Sequence, residues 1–280
     1  MNSNRLYKRR TISENLNMVF DFVGENWRKW FKMMIYYLLP FSVLLGTTIA
    51  TFHDESNASM SNTAYGFAIV LFFIGCALVT ALQILLVQWH ENHNGTLDGC
   101  DAASMWKIMP KTSLKCLGVM LLWTPLLALS FLAIILPIIG FVVIFAVLPI
   151  FLLCPIMLLE SNNSMSSMSK RAFSLGYKKW GTLILIAVVM VLVSVLINNA
   201  VTFPLGFFVV VESLLEQSDS VMWAFSLDVL RYILCVAESF MIFVEIGLLV
   251  LAMTFHYGSV ATEVEDIGLE QDIDNFSQLK

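Results

Sequence analysis

The sequence predicts an all-α integral membrane protein: six transmembrane helices arranged as three hairpins, with amphipathic helices at the cytoplasmic interface. Three observations predict it. From Cys116 to Leu159 not one Asp, Glu, Lys, Arg or His occurs. At ~1.5 Å per residue that run would form a helix of about 66 Å, twice the ~30 Å of a bilayer core. Two antiparallel helices use the length, turned by Leu136-Pro137-Ile138-Ile139-Gly140. Composition agrees: 58% of the chain is hydrophobic and 13% charged, where soluble proteins average roughly 45–50% and about 25%. Charge partition is the third observation. With six spans, every Lys and Arg of the 16 except Arg231 falls on the side of both termini, which the positive-inside rule places in the cytoplasm.

The elements follow in order. Thr11-Ile12-Ser13-Glu14 has the pattern of a capping box and opens an interfacial helix over residues 12–31. Its apolar residues Ile12, Leu16, Val19, Phe20, Val23, Trp27, Trp30 and Phe31 recur near the helical period. The first spans cover residues 33–52, with Pro40 inside, and 65–89, with the polar Gln83 inside. Asp101 caps a short interfacial helix over 101–109 that Pro110 ends. The central hairpin supplies spans 116–136 and 138–159. A third basic helix covers 165–179, with Met165, Met168, Ala172 and Leu175 on one stripe. Pro204 and Gly206 close the span 181–203. The sixth span, 232–255, carries carboxylates, Glu238 and Glu245. Residues 1–262 read as one membrane domain and 263–280 as an acidic cytoplasmic tail. A basic amphipathic segment followed by two spans recurs three times, a repeat of hydropathy more than of identity. The polar and amphipathic N-terminus has no small-residue cleavage site and reads as no signal peptide.

Several functions are excluded by the same residues. A net charge of −5 provides no basic face for nucleic acid. The five cysteines form no CxxC pair, and those inside apolar runs act as small hydrophobes. His90, His93, Asp98 and Cys100 sketch a metal site without a second spaced pair, so no metal is expected. No nucleotide-binding, HExxH or GxSxG motif occurs, and no enzyme and no cofactor is expected.

What remains is a set of polar residues where lipid should be. Charged residues inside spans are costly and mark functional sites by default. Glu238 and Glu245 are seven apart and share a helix face. Counted inward from Phe255, Glu245 lies ~15 Å and Glu238 ~26 Å deep; Asn198 and Asn199, counted from Gly181, lie about 26–27 Å deep, level with Glu238. Gln83 lies ~9 Å from Trp89, within reach of Glu245. Together they form a candidate polar seam between the second, fifth and sixth spans, either binding a proton, cation or head group or gluing helices together. Arg28, Lys29, Lys170, Arg171, Lys178 and Lys179 are placed to meet anionic lipid head groups. Trp27, Trp30, Trp89, Trp106 and Trp180 sit at the same boundary as an aromatic belt.

Pro155-Ile-Met-Leu-Leu-Glu160, then Ser169-Lys170-Arg171-Ala172-Phe173-Ser174-Leu175, then Lys178-Lys179-Trp180 resemble the bacterial six-helix inner-membrane domains that include the membrane domain of glycerophosphodiester phosphodiesterases. That resemblance implies fold and inner-membrane location. It implies no catalysis, because those enzymes hold their active site in a separate soluble domain. The expected function is a non-enzymatic scaffold or accessory of a membrane process, in contact with the bilayer, anionic head groups and a possible membrane-protein partner. The alternative is a small transporter or lipid-handling protein using its intramembrane carboxylates.

Overall fold

The computed structural model describes residues 6–52, 61–93, 95–132, 147–160, 164–215 and 221–265, and among these every regular element is helical. The helices are α1 (Ile12–Phe52), α2 (Ser61–Asn92), α3 (Ala102–Trp106), α4 (Met109–Leu132), α5 (Leu153–Leu159), α6 (Met165–Lys178), α7 (Trp180–Leu215) and α8 (Val221–Glu265), with a 3₁₀ turn at Leu148–Leu152 before α5. Among the described residues, α1, α2, α7 and α8 contain stretches long and apolar enough to cross a membrane. The turn of the central hairpin, 136–140, lies outside the described residues, as do the first part of the span 138–159, residues 138–146, and the tail beyond Glu265.

Several elements run further than the sequence suggests. The interfacial helix and first span are a single helix, α1, 41 residues long. Nothing between Phe31 and Met33 breaks it, and Pro40 is carried inside it. Its start is the expected capping box: Thr11 N–H donates to the Glu14 carboxylate at 2.7 Å, and Glu14 N–H donates to Thr11 Oγ1 at 3.3 Å. Likewise α7 passes through Pro204 to Leu215; apolar residues on both sides leave its backbone no better partner than the helix itself. Pro110 does not end α3, which stops at Trp106; it sits in the first turn of α4, where a missing N–H costs nothing. Gly95 and Gly99 take positive φ (83° and 73°) and turn the chain between α2 and α3.

α8 is the axis of the bundle. α1 packs along it, α7 lies on another side, and α2 fits between α1, α4 and α8. The α1–α8 crossing is tight because Gly46 has no side chain: a Cβ there would lie 2.5 Å from Val236 Cα. Phe31 then meets Phe240 edge-on at 5.8 Å, and Phe22 meets Phe255 at 5.8 Å. Outward surfaces are apolar, as on α7, where Leu196 and Phe203 are 73% and 77% exposed. A surface of that kind marks a lipid-facing wall.

At the basic end the picture inverts. Every residue of α8 from Leu251 to Thr262 is buried. The chain before α1 covers one side, with the Leu6 carbonyl against Gly258, where any Cβ would collide with it. Arg10 N–H donates to Ser259 Oγ at 3.0 Å, and Leu6 N–H donates to the Glu91 carboxylate at 2.8 Å. The 3₁₀ turn, α5 and α6 cover the rest, with Gly176 pressed on Pro149. The bundle therefore carries a packed cap beyond its membrane-length section.

Replacing Gly46 or Gly258 by Ala forces backbone apart and is expected to destabilise the detergent-solubilised protein by about 1–3 kcal/mol. Gly118→Ala, with open space around it, is expected to leave the unfolding midpoint within about 0.5 kcal/mol of the parent. Denaturant unfolding followed by far-UV circular dichroism measures both.

Candidate functional site

The expected seam separates into two polar pairs on different interfaces. Gln83, fully buried on α2, accepts a hydrogen bond from the Trp30 indole N–H of α1 at 2.8 Å, and its amide nitrogen lies 3.0 Å from Met34 Sδ. Its amide also lies close to Gly247 of α8, where a Cβ would come within 3.0 Å. Gln83 thus approaches α8 two residues from Glu245, yet its partners are Trp30 and Met34. Trp30 belongs here rather than to an interfacial belt, since it is buried.

The second pair is Asn198 of α7 with Glu245 of α8, whose side chains lie near each other. The Glu245 Oε1 atom is buried with no hydrogen-bond partner among the described residues. Counting depth from Phe255 sets Asn198 level with Glu238, and the structure shows why it meets Glu245 instead. α8 continues to Glu265, and Lys179 pairs with Glu263 at the base of both helices. From Lys179 to Asn198 is ~28 Å and from Glu263 to Glu245 is ~27 Å at helical rise. The ion pair and the polar pair therefore lie at matching heights on the two helices.

Asn199 points outward and donates to its own helix, at the Val195 carbonyl, 2.6 Å away. Glu238 is half-buried and, with Arg231, lies near the Cys235 thiol. Neither joins Gln83 or the Asn198–Glu245 pair through a direct bond described here.

The basic residues divide as well. Arg171 binds Glu160 and Glu265, and the Tyr257 hydroxyl donates to Glu160. Glu160 and Arg171 therefore lie with Glu265 in one ion-pair system that ties α5 and α6 to the end of α8, and Lys179 pairs separately with Glu263. Lys29 pairs with Asp98, and Arg28 lies over the Trp27 ring at 5.5 Å. Lys170 and Lys178 are exposed and enter no ion pair among the described residues. Burial first, and Glu160 second, push the nearby Tyr7 hydroxyl up to about 12.

His90 is buried edge-on to Phe22, whereas His93 stacks on Trp89 at 4.1 Å. Asp98 serves Lys29 and Cys100 lies against Met105. Among the described residues no three His, Cys, Asp or Glu side chains converge on a metal position.

One site escaped the sequence reading. A half-open groove of about 730 Å³ lies between α1, α2 and α4, beside Pro40. Its lining includes Ala77, Leu78 and Leu117 together with the rings of Tyr36, Tyr37 and Trp106. Trp106 stacks on Tyr37 at 6.2 Å, and the Tyr37 hydroxyl donates to the Ala102 carbonyl at 2.8 Å. None of the seam residues lines it. The only signal in the sequence was aromatic: Tyr36-Tyr37 and Trp106 at adjoining boundaries.

Gln83→Leu leaves the buried Trp30 N–H without an acceptor and is expected to cost about 1–3 kcal/mol, against less than about 0.5 kcal/mol for Asn199→Leu. Denaturant unfolding in detergent separates them. For Tyr7, the folded state keeps a proton that an unfolded chain releases near pH ~10. Stability is full below that pH and is lost as pH rises towards about 12. Tyr7→Phe is expected to remove this part of the alkaline loss, read from unfolding midpoints on either side of the transition. Comparison of the chain with family models, curated proteins and solved structures gives no match.

Proposed function

We propose that the chain is a multi-pass inner-membrane protein with both termini in the cytoplasm, acting as a non-enzymatic scaffold or accessory of a membrane process through its basic end. In this reading the spans 116–136 and 138–159 add a third hairpin to the four membrane-length helices. The observation that carries it is the packed cap: α8 from Leu251 to Thr262 is buried under the N-terminal segment, α5 and α6. A helix that only needed to cross lipid has no use for a clothed extension of that length. The extension presents Lys170 and Lys178 on a rigid base, where anionic lipid contributes ~1 kcal/mol per base or an acidic partner subunit can dock. The resemblance of Pro155 to Trp180 to bacterial six-helix inner-membrane domains supports the same location.

A second reading, a small transporter or lipid-handling protein using its carboxylates, is favoured by the buried, unpartnered Oε1 of Glu245. Against it stands the groove, whose lining residues come from other helices than those of the Asn198–Glu245 pair.

Lys170→Glu with Lys178→Glu tests the first reading. The double variant is expected to insert normally and to lose, by tenfold or more, a stoichiometric partner copurified from native membranes. Glu245→Gln is expected to leave that partner and every growth phenotype intact. If Glu245→Gln abolishes function while the double lysine variant is silent, the scaffold reading is wrong.

A further inference from the structure

α7 is the least covered of the four membrane-length helices: 17% of its most apolar 18-residue stretch is buried, against 39–61% in the other three. Its outward arc carries a regular pattern. Leu185, Val188, Leu192, Val195 and Asn199 follow one another at alternating steps of three and four residues, the a and d spacing of a helix that packs along a parallel partner. The four apolar members are 46%, 49%, 59% and 49% exposed, and Asn199 is exposed with them. Gly206, seven residues beyond Asn199 and also exposed, has open space where a side chain would stand, and small residues of this kind let a second backbone approach. Lipid satisfies the apolar part of the stripe but not Asn199. Asn198 lies beside Glu245, ~15 Å in from Phe255, so Asn199 stands near the middle of a ~30 Å core. An amide offers two N–H donors and an oxygen with two lone pairs. One N–H of Asn199 goes to the Val195 carbonyl at 2.6 Å, and the side chain makes no other hydrogen bond among the described residues. The occupant of this face must therefore bring both a donor and an acceptor to that depth. No charged side chain occurs from Gly181 to Val211, so nothing on the helix calls for a charged partner. A second α7 meets the need by symmetry, because an amide is complementary to another amide and copies insert in the same orientation.

We propose that two copies of this chain pair side by side through α7, about a two-fold axis along the membrane normal, with the two Asn199 amides hydrogen-bonded to each other. The interface is isologous, the same stripe on both copies. Its specificity comes from the single polar position, which fixes register and copy number as a buried Asn does in a coiled coil. The assignment rests on the membrane location proposed above and adds an assembly to it, one that presents the basic end twice.

The test uses the full chain in native membranes and in phosphatidylcholine vesicles. The five native cysteines are buried, so an added surface cysteine reports on its own position. Leu192→Cys is expected to cross-link into a dimer under copper phenanthroline, faster than Leu122→Cys, placed where α4 is 61% exposed. Donor- and acceptor-labelled copies in vesicles are expected to show energy transfer that falls on dilution with lipid. Asn199→Leu is expected to weaken that association roughly three- to tenfold, the range of interhelical hydrogen bonds in membranes, while Asn199→Gln, which keeps the amide, retains most of it. The leucine variant folds as the parent does, since in one copy the amide serves only its own helix. A chain that is monomeric at every dilution overturns the proposal. So does a dimer that Asn199→Leu leaves unchanged, a stripe cysteine that cross-links no faster than the one on α4, or a Leu192→Cys cross-link to a different protein. Alkaline carbonate extraction separates the two levels of the argument. A chain released by carbonate refutes the membrane location itself, whereas a retained chain that stays monomeric refutes only the pairing.

Discussion

The packing of the first long helix on the last is the constraint from which the other contacts follow. α1 and α8 approach closely because Gly46 lets the Val236 backbone in, and aromatic pairs at Phe31–Phe240 and Phe22–Phe255 continue the seam towards the basic end. Joining the two ends of a chain in this way closes the bundle and leaves α2 a fixed slot between its partners. The contact also determines what happens beyond the membrane-length section. α8 emerges as a long apolar rod that water would not tolerate, and the residues before α1 fold back on it, with Leu6 seated against Gly258. The cap is thus a consequence of the α1–α8 pairing, not a separate domain attached to it.

A buried donor or acceptor is costly without a partner, and where partners occur inside this bundle they are short-range and pairwise, whereas Glu245 Oε1 and the His256 ring nitrogens have none among the described residues. Gln83 serves Trp30, and Asn198 lies beside Glu245. Neither pair demands a water-filled path, which is the physical basis for preferring a scaffold to a transporter. The ion pairs of Arg171 and Lys179 join α6 and the start of α7 to the end of α8, at the level from which Asn198 and Glu245 are equally far along their helices. Bases that the hydropathy pattern offers to lipid are partly consumed in this way, while Lys170 and Lys178 on α6 enter no ion pair among the described residues.

Much was readable along the chain because it depends on near neighbours. The capping box at Thr11 and Glu14 involves residues three apart, and membrane-length helices announce themselves by uninterrupted apolar runs. Errors arose where a local signal competed with a distant one. Pro204 looks like a terminator, yet a lipid-facing helix keeps its hydrogen bonds through it. Phe255 looks like the end of a span because polar residues follow, but His256, Ser259 and Thr262 are buried by elements far away in sequence. Counting depth from Phe255 matches Glu238 with Asn198, whereas counting from the paired Lys179 and Glu263 aligns Asn198 with Glu245. The groove was invisible for a related reason: it exists only where three helices fail to fill a gap.

By itself the sequence determined the class of the protein, its helices, and the small set of polar side chains out of place among apolar ones, since composition and periodicity are properties of adjacent residues. The tertiary structure alone decided which of those side chains meet, which bases find a carboxylate, and where an apolar groove opens between α1, α2 and α4. Those outcomes depend on helix register and on crossing geometry, and both are set by contacts such as Gly46 on Val236 and Lys179 on Glu263, between residues that share no local pattern.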